Sequence, residues 1–107
     1  MSKDFKVIYK ILQHLSRNMG NESAGYEMIS AETLGIAECR WEQILIELQE
    51  EGYIKGLVVT QSLGDYYPHI AEPIRPRITL KGMEYLEDNS QMKKVKQAIE
   101  GIVNIVK

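Results

Sequence analysis

The residues in this chain best suited to covalent or metal chemistry are few: one cysteine, Cys39, and two histidines, His14 and His69. They fall in no spacing that resembles a metal site, and a single thiol cannot close an internal disulfide. Cys39 sits between Glu38 and Glu42 with Arg40 as the nearby cation. There is no G-x-S-x-G elbow, no phosphate-cradling glycine loop and no H-E-x-x-H helix, so the expectation is a chain that is not an enzyme and carries no cofactor or metal. What remains is the chemistry of recognition. Lys55, Arg75 and Arg77, with His69 close by and Arg40 and Gln43 upstream, are the groups that could meet a polyanion. Cations displace counterions at phosphates, and a glutamine amide can pair with adenine.

The elements that must position these groups belong to one domain, because 107 residues suffice for an ordinary core but not for two. Hydrophobic content of 44% with 26% charged residues is that of a water-exposed globular chain. No window approaches a membrane-crossing length, and MSKDFK leads straight into helical periodicity without a secretory pattern, so the expected location is the cytoplasm. The net charge of −2 gives no global pull toward polyanions, but its distribution is uneven. Residues 1–52 carry 5 Lys/Arg against 9 Asp/Glu, and residues 53–107 carry 8 against 6. The front is acidic and the rest mildly basic.

From residue 4 to 17, Phe5, Ile8, Ile11, Leu12 and Leu15 recur at helical spacing and predict a first helix with one buried stripe. Lys3, Lys6, Lys10 and Arg17 fall on the opposite side, as a solvated face or as a contact for a phosphate or acidic partner. NMGNESAG at 18–25 reads as a loop, and 26–29 as a short strand. Ser30 offers an N-cap for a second helix at 30–35 that ends at Gly35. The third helix, 38–51, starts after Ala37, a poor cap, and stops at Gly52. Trp41, Ile44, Leu45 and Leu48 make its inner face, leaving Cys39, Gln43, Ile46 and Glu50 outward, Glu42 and Glu47 flanking and Arg40 at one edge.

Residues 53–79 read as a hairpin: a strand at 53–60, a long irregular tip at 61–73, and a returning strand at 74–79 in which Pro76 implies an edge position. The tyrosines Tyr53, Tyr66 and Tyr67 read as packing residues at the sheet margin. Thr79 caps a fourth helix, 79–88, with Leu80, Met83 and Leu86 inward. A last helix is expected at 90–106, where Met92, Val95, Ile99, Ile102 and Val106 are spaced 3, 4, 3, 4. Two heptads interrupted by Gly101 are short for an independent zipper, which leaves packing on the first helix of the same chain or dimerisation.

This order is that of an α+β winged helix-turn-helix, a three-helix core with a small antiparallel wing sheet and added C-terminal helices. LGI at 34–36, EEGYI at 50–54 and ITLKGMEYL at 78–86, with the helical tail, resemble the YjcQ-like family of small bacterial and prophage proteins. The likeness covers nearly the whole chain and implies the winged-helix architecture more than any activity. Ala37, where such proteins commonly place Ser or Thr, and the long tip from Gln61 to Pro73 depart from the pattern.

Two functions compete. In a helix-turn-helix the third helix enters the major groove, which would make Arg40, Gln43, Lys55, His69, Arg75 and Arg77 the candidate duplex-DNA contacts of a transcription-related module. Yet Glu38–Glu51 holds five Glu and one Arg, and carboxylates oppose a phosphate backbone. A protein partner or a homodimer, held through the acidic third helix or through Met92, Val95, Ile99, Ile102 and Val106, fits that chemistry better. Local chemistry favours protein, but fold analogy decides by a small margin, so duplex DNA is the first expectation and a protein partner the alternative.

Overall fold

The computed structural model describes residues 3–89. Along the chain these form α1 (Lys3–Arg17), a single 3-10 turn (Glu27–Ile29), α2 (Ala31–Leu34), α3 (Glu38–Glu50), β1 (Ile54–Lys55), β2 (Val58–Thr60), β3 (His69–Ala71), β4 (Arg77–Ile78) and α4 (Leu80–Asp88). The architecture is α+β, four helices with small antiparallel ladders. The expected helix at 90–106 lies outside the described residues.

The helix ends follow from local chemistry. Ser30 Oγ accepts the Thr33 N–H at 3.2 Å, and Gly35 in the left-handed region closes α2. Thr79 Oγ1 accepts the Gly82 N–H at 3.0 Å and donates to Gly52 O, so one hydroxyl starts α4 and ties it to the end of α3. Ala37 gives α3 no side-chain cap. At the other end of α3, Tyr53 N–H reaches back to Leu48 O at 2.9 Å with Gly52 at φ +84°, the six-to-one bond of a Schellman stop.

The short strand expected at 26–29 is instead the 3-10 turn. Ile29 and Ser30 N–H bond back to Tyr26 O and Glu27 O, and the Trp41 indole N–H takes Ile29 O at 2.7 Å. With those groups engaged locally, no ladder can form along this segment.

The strand region also differs from the single hairpin expected at 53–79. β1 pairs with β4 (Ile54↔Ile78, Lys55↔Arg77), and β2 pairs separately with β3 (Val58↔Ala71, Val59↔Ile70, Thr60↔His69). Gly56, at φ +97° and with its Cβ position 3.1 Å from Arg75 O, turns the chain between β1 and β2. Leu57 then gives both backbone groups to one side chain: its N–H donates to Gln49 Oε1 at 2.8 Å and its C=O accepts from Gln49 Nε2 at 3.0 Å. On the return, Pro73 and Pro76 have no N–H to offer a ladder. The returning strand expected at 74–79 therefore shrinks to Arg77–Ile78, while β3 forms inside the segment expected to be a loose tip. Pro76 is buried beside β4 and is not an edge-strand residue.

Val7, Ile11, Leu12 and Leu15 from α1 meet Leu45, Ile46 and Leu48 from α3, with Ile29, Ile54, Leu57, Ile70 and Ile78 completing the core. Three residues are placed differently from expectation. Phe5, in the first turn of α1, is 54% exposed because the buried face of that helix runs through Val7 and Ile11. Leu80 follows the cap of α4 and is 81% exposed, whereas Gly82 is the buried contact and Met83, Tyr85 and Leu86 pack beside it. Ile46, expected outward, is 3% exposed.

Candidate functional site

The burial of Ile46 has a cause that determines what α3 can present. A second layer, the β3 strand, lies over the side of the helix that a one-sided wheel leaves in water. Gln43 Nε2 donates to Pro68 O at 3.0 Å. Glu42 meets the next two residues, Oε1 against His69 Nδ1 at 2.7 Å and Oε2 accepting the Ile70 N–H at 2.9 Å. Gln49 holds Leu57 one to two turns further along. Glu42, Gln43, Ile46 and Gln49 thus form the seam between helix and strands, and the exposed residues of α3 are Glu38, Cys39, Arg40, Glu47 and Glu50. Four polar or apolar positions spread over two turns on the flank of the core stripe were the available signal for this seam.

The six candidate DNA contacts fall into three separate places. Arg40 belongs to the junction of α3 with α1: its Nε donates to Asp4 Oδ1 at 3.0 Å, and Nη2 pairs with Asp4 Oδ2. The hydrogen bond from Arg40 holds the Asp4 carboxyl below its ordinary value and raises the guanidinium in turn. Gln43 and His69 belong to the seam. Its bond to Glu42 raises the His69 pKa above 6.5, burial opposes this, and the charges of Glu42 and Asp65 add to it. Lys55, Arg75 and Arg77 are exposed near the β1–β4 ladder, and their side chains make no hydrogen bond or ion pair among the described residues. Lys55 and Arg77 stand directly opposite each other across β1 and β4, an arrangement of like charges that costs stability unless an anion lies between them.

The far end of the hairpin has a different character. From Gly56 to Ile74 there is no Lys or Arg. Val58 (63% exposed), Leu63 (106%), Tyr66 (94%) and Tyr67 (60%) face solvent. Val58 stands on β2, and the turn that carries Leu63 and leads into the two tyrosines is braced: Ser62 N–H donates to Asp65 Oδ2 at 2.8 Å, Asp65 N–H to Ser62 O at 3.0 Å, and Gln61 Nε2 to Asp65 O at 3.2 Å. The Tyr66 and Tyr67 rings lie 6.5 Å apart, centroid to centroid. Residue types alone pointed to packing tyrosines here; the long excursion beyond Thr60 is what puts them in water.

Among the described residues no group of three or more His, Cys, Asp or Glu is placed to hold a metal ion. No helix among them is long and apolar enough to cross a membrane.

Comparison with known proteins agrees with the motif reading. The family model described as YjcQ protein matches residues 9–105. A relative in Bacillus subtilis (strain 168), named Uncharacterized protein YjcQ, is 29% identical over 107 residues, covering all of both chains. No solved structure matches.

Proposed function

Since the chain belongs to the YjcQ family, bacterial proteins that include the relative in Bacillus subtilis, we propose that it is a non-catalytic protein-interaction module on a winged-helix scaffold, with the β2–β3 hairpin as its contact surface. In this reading α1, α2 and α3 are the three-helix core and β1–β4 the wing. The observation that carries it is the hairpin tip: exposed Leu63, Tyr66 and Tyr67 on and beside a turn already fixed by Asp65, with Val58 exposed on β2, in a segment without a Lys or Arg. Aromatic residues with few rotamers, held in place before binding, lose little entropy on contact and suit an apolar protein patch. The same segment is ill suited to a nucleic acid, whose affinity depends on cations. The outer residues of α3 include Glu38, Glu47 and Glu50, which also favour a protein over a phosphate backbone.

Duplex DNA is the second reading, and Lys55, Arg75 and Arg77 favour it: three exposed cations without a counterion among the described residues. They would grip phosphates at the wing base and read no bases.

Two measurements separate the readings. Fluorescence titration with duplex DNA at low salt should show no binding at micromolar protein. Binding that falls in an Arg75→Ala, Arg77→Ala variant would overturn the protein reading in favour of DNA. Affinity capture should return a stoichiometric protein partner with the native chain and with the arginine variant, and lose it with Leu63→Ser, Tyr66→Ser; equal capture by the last variant would remove the hairpin from the interface.

A further inference from the structure

A groove of about 450 Å³ runs between α1, α3 and α4 on a face separate from the hairpin tip. Its walls are Phe5 and Ile8 of α1, Ile44 and Leu48 of α3, Tyr53, and Tyr85 of α4. Burial raises the Tyr85 pKa, helped by Tyr53, whose ring centroid is 5.0 Å away. The polar residues around it are mainly on α3: Glu47 and Glu51, with Gln43 and Arg40 engaged elsewhere.

We propose that this groove is the seat of the chain's own residues 92–106. Three facts on different levels select that occupant. The first is connectivity. Tyr85 lines the groove and accepts the Asn89 N–H at 2.8 Å, so the chain leaves α4 one turn beyond a groove wall. The second is shape. Met92, Val95, Ile99, Ile102 and Val106 fall on one stripe if this segment is helical, and at 1.5 Å per residue that stripe spans about 21 Å. This is close to the length of the 15-residue α1 that forms one wall. The third is charge. Lys93, Lys94 and Lys96 flank the first part of the stripe, with one carboxylate, Glu100, in the whole segment. The groove edge carries Glu47 and Glu51, so a basic segment with an apolar stripe would match an apolar groove with an acidic rim. The segment's own helical propensity is limited by its length and by Gly101, so a helix there would need a surface to pack on.

The single cysteine provides the test. Cys39 is exposed at the start of α3, next to Arg40 on the groove rim. A nitroxide on Cys39 of the full chain should broaden the amide signals of residues 92–106. Ile99→Asp with Ile102→Asp should abolish that broadening and shift the amides of Ile8, Ile44, Leu48 and Tyr85 while leaving Val58 and Ile70 unmoved. If that variant fails to fold, Glu47→Lys with Glu51→Lys, at exposed positions, should release the tail with the core intact and weaken the same broadening. Mixing spin-labelled chain with unlabelled ¹⁵N chain should broaden nothing. Broadening in the mixture would assign the groove to the tail of a second copy, and absence of broadening within the single chain, or no response to the charge reversals, would overturn the proposal.

Discussion

Glu42 and His69, 27 residues apart in sequence, meet at 2.7 Å across the seam between α3 and β3. The same carboxylate accepts the neighbouring Ile70 N–H at 2.9 Å, so a single side chain sets the height of the returning strand on the helix. This clasp explains why Ile46 is dry and why α3 is not free to lie in a groove of DNA by the face that holds Gln43.

The clasp should respond to pH. The hydrogen bond to Glu42 raises the folded-state pKa of His69 above 6.5, so the folded chain binds a proton that the unfolded chain holds less tightly. Its contribution is therefore complete below about pH 6.5 and is lost as pH rises through the higher folded value. NMR titration of the His69 ring should give a midpoint above that of an unstructured peptide, and Glu42→Gln should bring it back down. A native midpoint at or below the peptide value would remove the clasp. Because His69 is half exposed, the stability change should be small and should shrink in salt.

Gln49 should matter more than an ordinary helix-surface glutamine. Its amide satisfies both the N–H and the C=O of Leu57, a residue 8% exposed, where the ladder is interrupted. Gln49→Ala leaves two backbone groups with no protein partner, at a cost of about 1–3 kcal/mol. Urea unfolding checks the amount. Amide exchange checks the place: Leu57 and its neighbours should exchange faster while the α1 amides keep their protection relative to global stability.

These two residues also show where the sequence was legible and where it was not. Ser30, Gly35, Gly52 and Thr79 announce their roles because each acts on backbone within a few positions, and the helices they bound lie where periodicity puts them. The division of the strand region into two ladders is hidden in the sequence, because it depends on Gln49 reaching Leu57, and on Pro73 and Pro76 interrupting the return. The wheel that turned Ile46 outward assumed one buried face, and β3 supplies a second. Likewise Tyr26–Ile29 has strand-like composition, but the indole of Trp41 takes the Ile29 carbonyl. Of the six residues expected to meet DNA, three were already committed to partners that only the fold brings near.

Gly82 is required by close approach. A Cβ built there would lie 2.3 Å from Tyr53 O and 2.7 Å from Ile78 Cγ1, and the first of these atoms is backbone that α3 and α4 jointly hold. Alanine favours a helix interior by about 1 kcal/mol, but overpacking against backbone costs about 1–3 kcal/mol or more, and the overlap here is severe. Gly82→Ala should therefore destabilise on balance, lowering Tm by several degrees at about 4–8 °C per kcal/mol for a domain of this size. A Tm equal to or above that of the native chain would mean that α4 does not rest on Tyr53 as described.

The hairpin tip should behave in the opposite way. Leu63 and Tyr66 are almost fully solvated, and the turn beneath them is held by Ser62, Asp65 and Gln61, so their side chains contribute little to the fold. Replacing both with serine should change unfolding free energy by no more than about 0.5 kcal/mol. Asp65→Ala should instead loosen the tip, since it removes the acceptor of the Ser62 N–H. If the tip recognises a protein, the serine variant loses affinity through contact and the Asp65 variant loses it through disorder, so the first should raise the off-rate and the second should also slow association. Thermal melts of both variants separate these effects from loss of fold. A serine variant destabilised by more than about 1 kcal/mol would show that these residues pack within the domain and would leave the wing without the exposed surface on which its role as a contact site depends.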